Sequence, residues 1–218
     1  MDPLQDLTNI IERIRADLTR KNALRDITLA RSRELIRFCA NSIRATHRHE
    51  FEEASALLAQ AQAAAKVMCD DARPYADIYY SGYTQDAMKE LAEASITLAL
   101  VSGGALPDPD LLGIDYPAYL NGLGEAMGEM RRFALDSMRR EDTEEAERMM
   151  AIMDDVYTFL VTIDFPDALT GNLRRTTDMV RGVTEKTRGD LTTVIRQERL
   201  QQALQAFERR WQERVDKQ

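Results

Sequence analysis

The 218-residue chain carries a net charge of −8, is 44% hydrophobic and only 6% aromatic, and holds just ten Gly, six Pro and two Cys. Ala, Leu, Arg, Glu and Met dominate, a palette of strong helix formers and not of sheets. No apolar run reaches the roughly 18 residues that a membrane span requires, and MDPLQDLTNIIERIRADL lacks the basic, apolar and small-residue order of a signal peptide. A cytoplasmic protein without a membrane partner is expected, with Cys39 and Cys69 as reduced, partly buried thiols.

Leu4, Leu7, Ile11, Ile14 and Leu18 recur at steps of three and four, and the pattern resumes through Leu24, Ile27, Leu35 and Phe38. The first 46 residues therefore read as one long helix or two in series. Phe51 to Met68 is Ala-rich and helical. A punctuated stretch with Pro74, Gly82 and the aromatics Tyr75, Tyr79, Tyr80 and Tyr83 follows, for which packing under a loop is the ordinary role and base stacking the functional one. Thr84 or Asp86 is expected to cap a helix running to Val101. The segment SGGALPDPDLLGID is the one long loop signal.

Asp115 reads as a cap, with Pro117 in the first turn, for a helix to about Met138. Asp142 with Glu145 forms a capping-box pattern for a helix to about Ile163. On that helix Met149, Met150 and Met153 read as core filler. After Asp164-Phe165-Pro166 one helix runs to about Arg188 and a last one from Leu191 towards the C-terminus. Leu200, Leu204, Phe207 and Trp211 give that last helix a narrow seam, suited either to its own domain or to a neighbouring subunit. The expected architecture is all-α, one domain over residues 1–218, a bundle of about seven helices.

Charge is unevenly spread. Residues 1–48 carry ten Lys and Arg against six Asp and Glu, and residues 171–218 eleven against seven, whereas residues 49–170 carry eight against twenty-four. Two basic ends flank an acidic middle, which is compatible with a phosphate-binding surface near an acidic metal site.

Within that middle, Glu90 and Glu93 are three apart and Glu125 and Glu129 four apart, so each pair shares a helix face. Such pairs are common on solvated helices, and salt-bridged glutamates partnered by Arg131 and Arg132 are the plain alternative. Their surroundings bear on the choice, because Ala94 to Pro107 and Tyr116 to Gly124 carry no charge and suit burial. A carboxylate drawn into low dielectric must be neutralised, paired or metal-bound. Gly122, Gly124 and Gly128 on the second helix each cost roughly 1 kcal/mol relative to Ala. Their presence suggests close approach of another backbone, that of the first glutamate helix being the natural neighbour. Four carboxylates without His or Cys suit Mg²⁺ or Mn²⁺ rather than Zn²⁺. Such an ion polarises a phosphate oxygen and activates water, and a glutamate not used as a ligand can accept the water's proton.

Several segments resemble the translin/Trax family: DYPAYLNGLGEAMGEMRRFALDSM, the helix with Asp155 and Tyr157, LRRTTDMVRGVTEKTRGDL and, upstream, RSRELIRFCANSIRATHRHEFEEA. The resemblance spans most of the chain and is most specific between Tyr116 and Arg132. It implies that Glu90 and Glu93, in KELAEA, match the first acidic pair of the Trax ribonuclease site and Glu129 the glutamate of the second pair. Glu125 stands where Trax usually has aspartate, a departure that lengthens the side chain and keeps the carboxylate. Translin lacks the full set, so retention of all four implies the catalytic branch. The resemblance further implies a closed homo-oligomer of one subunit type, typically an octamer, with RNA processed inside.

The expected activity is thus a Mg²⁺- or Mn²⁺-dependent endoribonuclease on single-stranded RNA, with Glu90, Glu93, Glu125 and Glu129 as ligands and catalytic groups. Arg33, Arg37, Arg44, His47, Arg48 and Arg132 are candidate RNA-phosphate contacts, although a solvated helix face explains several of them equally. His47 and His49, two apart, face different directions and do not suit a shared metal. Two alternatives stand beside this reading. One is a non-catalytic oligomer that binds single-stranded RNA or DNA. The other is an all-α nucleoside-triphosphate pyrophosphohydrolase, whose acidic pairs are usually three apart on both helices.

Overall fold

A computed structural model describes residues 3–215 and contains, among them, nine helices and no strand. Six are long: α1 (Pro3–His47), α2 (Phe51–Ala72), α4 (Gly82–Ser102), α6 (Tyr116–Arg139), α7 (Thr143–Val161) and α9 (Leu173–Val215). Three are single turns, α3 (Ala76–Tyr79), α5 (Pro109–Leu112) and α8 (Asp167–Thr170). No described helix is long and apolar enough to cross a membrane.

The contacts group the chain into two compact units, one ending at Leu123 and one beginning at Gly124. In the first, α1 folds back on α2 and both pack on α4. The packing follows from the small residues on α2. Ala54, Leu58, Ala61, Ala65, Met68 and Ala72 recur at steps of three and four and are buried. The alanines let neighbouring helices approach while Leu58 and Met68 fill the remaining volume. Leu35 and Cys39 of α1, and Leu91 and Ala92 of α4, complete this core at full burial. Ser42 of α1 donates its hydroxyl to the Ala54 carbonyl at 2.9 Å, which satisfies a buried polar group across the α1–α2 contact.

In the second unit α7 packs on α9. Met149 and Met153 are fully buried and Met150 nearly so, as core filler should be. Leu173 and Val180 of α9 are buried as well, and so are the methionines Met127 and Met130 of α6.

The helix boundaries show where local signals ruled and where packing overrode them. Asp142 caps α7 by accepting from the Glu145 amide at 3.1 Å. The reciprocal half of the expected box is replaced, because the Glu145 carboxylate takes Arg148 Nε at 2.8 Å and Nη2 at 2.7 Å instead. Helix α4 begins before either expected cap: Ser81 occupies the N-cap position. The Thr84 hydroxyl is spent on the Ile78 carbonyl, at 2.9 Å. The expected break near Arg188 does not occur, and α9 runs unbroken through Gly189. Arg131 of α6 explains this, since it reaches Thr187 at 3.0 Å and Asp190 at 2.8 Å, residues on either side of that glycine. Tertiary contacts on both sides offset the roughly 1 kcal/mol that an interior glycine costs.

Candidate metal centre

The close approach that the glycines of α6 suggested is real at Gly122. A Cβ there would stand 2.6 Å from the Lys89 carbonyl oxygen, 2.7 Å from Ala92 Cβ and 3.0 Å from the Glu93 nitrogen. Only a hydrogen fits, so the first two turns of α6 lie directly against the backbone of α4. Gly124 serves a different contact, its missing Cβ leaving room for the Thr176 methyl, which would otherwise be 2.3 Å away. Gly128 meets nothing within 4 Å and has no packing role.

Three residues after Gly122 on the same unbroken helix comes Glu125. One carboxylate oxygen from each of Glu90, Glu93 and Glu125 lies within 4.8 Å of the other two, and none of these side chains is exposed. The spacing rules explain the convergence. Glu90 and Glu93 leave α4 on one face, and Gly122 brings that stretch of α4 within contact of α6. Among the described residues this is the one group of three or more His, Cys, Asp or Glu side chains arranged to hold a metal ion.

Glu129, the fourth carboxylate of the expected set, lies outside that group. It is one turn beyond Glu125 on α6, partly buried, and stands 3.8 Å from Arg132 Nη1. Arg131, next to Arg132 in sequence, points elsewhere and is bound by the Thr187 and Asp190 side chains of α9, so it clamps α6 rather than serving a glutamate.

One buried neighbour was not foreseen from the sequence. The Cys39 thiol of α1 is fully buried, and burial first, then the Glu90 and Glu93 carboxylates, push it up to about 12. It is therefore a neutral wall of the site at physiological pH. Nothing local to α1 announces this, because the α1–α4 contact joins residues some fifty positions apart.

The donor set fits a hard cation. Ligand oxygens around Mg²⁺ at about 2.0–2.1 Å sit roughly 3–4 Å from one another. Three oxygens within 4.8 Å reach that arrangement by small side-chain rotations. No soft or nitrogen donor competes within the group.

The candidate RNA contacts are spread along α1 and α6. Arg33, Arg37 and Arg44 are exposed on α1, Arg37 standing 3.7 Å from Glu34 and Arg44 hydrogen-bonded to Asn41. Arg48 is exposed in the turn after α1 and pairs with Glu50 and, at 3.5 Å, with Glu53. His47 is partly buried at the end of α1, and Arg132 is exposed on α6. Of the tyrosines, Tyr79 is buried under the Arg73 guanidinium, 5.6 Å above its ring, whereas Tyr80 is exposed.

No family model matches the chain. An uncharacterized protein of Methanocaldococcus jannaschii is 31% identical over 206 residues, which cover 94% of this chain and 88% of that protein. Two solved structures of AfC3PO, one of them a complex with duplex RNA, are each 33% identical to it. They superpose with TM-scores of 0.77 and 0.78 and cover 84% of this chain and 95% and 96% of theirs. Apo-NeC3PO, 18% identical with a TM-score of 0.73, shares the fold. The chain belongs to the translin/Trax-like C3PO family.

Proposed function

We propose that this chain is a divalent-metal-dependent endoribonuclease that cuts single-stranded RNA and leaves 5′-phosphate and 3′-hydroxyl ends. The observation that carries the reading is the convergence of Glu90, Glu93 and Glu125 within 4.8 Å in a chain of this family. Glu90, Glu93 and Glu125 would hold Mg²⁺ or Mn²⁺. The bound ion would supply charge neutralisation at a phosphate oxygen and an acidified water. The chain's own groups do the rest. Glu129, one turn beyond Glu125, accepts the water's proton. Arg132, 3.8 Å from Glu129, orients that carboxylate and the phosphate beside it. Cys39, held neutral, adds no charge that would compete with the cation.

Binding precedes cleavage in this scheme, and the exposed arginines Arg33, Arg37, Arg44 and Arg48 of the α1 region supply phosphate contacts, with His47 beside them. The likeness to AfC3PO, one structure of which contains duplex RNA, supports RNA as the polymer. Single-stranded RNA as the cleaved form and a closed homo-oligomer, an octamer, are part of the same proposal.

The test is cleavage of an unstructured RNA by purified protein with Mg²⁺ or Mn²⁺. Glu93→Gln and Glu129→Gln should each abolish cleavage, but only Glu93→Gln should weaken Mn²⁺ binding. Intact RNA under every metal condition, together with salt-sensitive RNA binding, would instead mark a non-catalytic binding oligomer.

A further inference from the structure

Two exposed seams lie far along the chain from the carboxylates. On the first half of α1, Leu7, Ile11, Ile14 and Leu18 recur at steps of four, three and four. On the last third of α9, Leu200, Leu204, Phe207 and Trp211 recur at the same steps. All eight side chains are between 44% and 60% exposed. Phe207 and Trp211 stack on each other with centroids 6.3 Å apart, and that contact leaves more than half of each in solvent. A run of alternating three and four steps is the seam of a coiled coil, and a folded chain seldom leaves two such seams in water unless something covers them.

We propose that the α1 seam of one copy pairs with the α9 seam of a second copy as an antiparallel coiled coil. The apolar register is continuous: Leu7 meets Trp211, Ile11 meets Phe207, Ile14 meets Leu204 and Leu18 meets Leu200. The same register sets the flanking charges without further adjustment. Arg15 comes beside Glu208, and Asp17 beside Arg196, opposite signs in both places. Arg15, Glu208 and Arg196 are exposed and the Asp17 side chain is 47% exposed, so all four are free to reach a partner chain. Within its own chain Arg15 pairs with Glu12 at 2.7 Å, and Asp17 with Arg20 at 3.3 Å and Lys21 at 3.9 Å. Surface pairs of this kind exchange partners at little cost.

The competing pairings lack this match. Two α1 seams in antiparallel four-layer register place Arg15 against Arg15. Two α9 seams place Glu208 against Glu208 and Arg196 against Arg210. A parallel α1–α9 pair keeps four apolar layers but brings none of the flanking charges together. Like charges at such positions select against a partner, and opposite charges select for it. Because every chain carries one seam of each kind, a reciprocal dimer or a closed ring covers all of them. This inference is independent of the nuclease reading, since none of these residues takes part in the carboxylate site.

The test uses full-length chains. One sample carries Ile14→Cys and another, distinguishable by a tag, carries Leu204→Cys; the native thiols Cys39 and Cys69 are buried. After mixing and mild oxidation, the cross-linked product should contain one chain of each kind in large excess over same-variant products. A third sample with Asn9→Cys, on the far side of α1, should not cross-link to Leu204→Cys. Adding Glu208→Arg to the Leu204→Cys chain should cut the yield several-fold, and adding Arg15→Glu to its partner should restore it. Same-variant products in excess, no cross-link at all, or no rescue by the paired reversal would each overturn the proposal, whether or not the protein cleaves RNA.

Discussion

The substitution Gly122→Ala gives the sharpest test of how the carboxylates are brought together. The added methyl would lie 2.6 Å from the Lys89 carbonyl oxygen and 3.0 Å from the Glu93 nitrogen. Comfortable contact between such atoms is about 3.5 Å. Both obstacles are helix backbone and cannot rotate away, so α6 must retreat from α4 by about 0.5–0.9 Å at this point. Overpacking of this kind costs about 1–3 kcal/mol, against which the change from Gly to Ala within a helix returns about 1 kcal/mol. Net destabilisation of about 0–2 kcal/mol is expected. The functional effect is larger, because Glu125 moves with the helix and a displacement of about 1 Å at a reacting centre can cost about 100-fold in rate. Calorimetric titration with Mn²⁺, thermal unfolding and an RNA cleavage time course measure the three quantities. Gly128→Ala, six residues on and meeting nothing within 4 Å, is the control. It should stabilise by about 0.5–1 kcal/mol and leave metal affinity alone. If Gly122→Ala binds Mn²⁺ as tightly as the parent, close helix approach does not set the site.

Glu93→Gln should lower Mn²⁺ affinity by more than about 100-fold, since even residues behind metal ligands contribute about 10- to 100-fold. The melting temperature of the metal-free variant, followed beside the titration, separates a lost ligand from a lost structural contact. A clear fall in its metal-free melting temperature would reveal a structural salt bridge instead. Arg131→Met should destabilise by about 1–2 kcal/mol, judged by denaturant unfolding, as it removes charge-assisted bonds while leaving their acceptors in place. Those acceptors are Thr187 and Asp190, the second of which stays part-solvated. An unchanged midpoint would show that α9 does not need this clamp to continue through Gly189. Alkaline pH should destabilise the fold through its thiols. Burial pushes Cys69 up to about 11 and Cys39 to about 12, so the unfolded chain loses those protons first. Their contribution is complete below about pH 8.5 and declines as pH rises through the folded values, by up to about 1.4 kcal/mol per thiol per pH unit. Cys69→Ala should flatten that decline between about pH 9 and pH 11 in melting experiments; an identical slope would refute it.

What could be read from the residues was most of what has a local cause. Alanine-rich α2 announces its helix by composition, Asp142 its cap, and Met149 and Met153 their burial by spacing. Gly122 was legible in part, since a cluster of glycines in one helix suggests a close neighbour, although of the three only Gly122 meets the α4 backbone. Local reading failed where a partner distant in sequence decides the matter. A break is expected near Arg188, but Arg131, some sixty residues earlier, holds both flanks of Gly189 and α9 runs on. Cys39 looks like any small buried residue until α4 is laid beside it.

The glutamates show the same limit inside one site. Residues four apart on a helix differ by about 40° in direction and about 6 Å in height, so Glu125 and Glu129 share a face. Sharing a face does not fix whether both reach one point in space. That depends on where the facing helix comes closest, and here the contact is at Gly122, one turn before Glu125 and two turns before Glu129. Glu125 therefore joins Glu90 and Glu93, while Glu129 sits a turn farther from the contact, beside Arg132. This difference in height is the physical ground for giving the two residues of one acidic pair different roles, one as ligand and one as base. Glu125→Gln and Glu129→Gln separate those roles in a pair of measurements, Mn²⁺ titration and RNA cleavage. The first variant should lose metal binding and cleavage together. The second should lose cleavage and keep binding, and equal loss of binding in both would return Glu129 to the ligand shell.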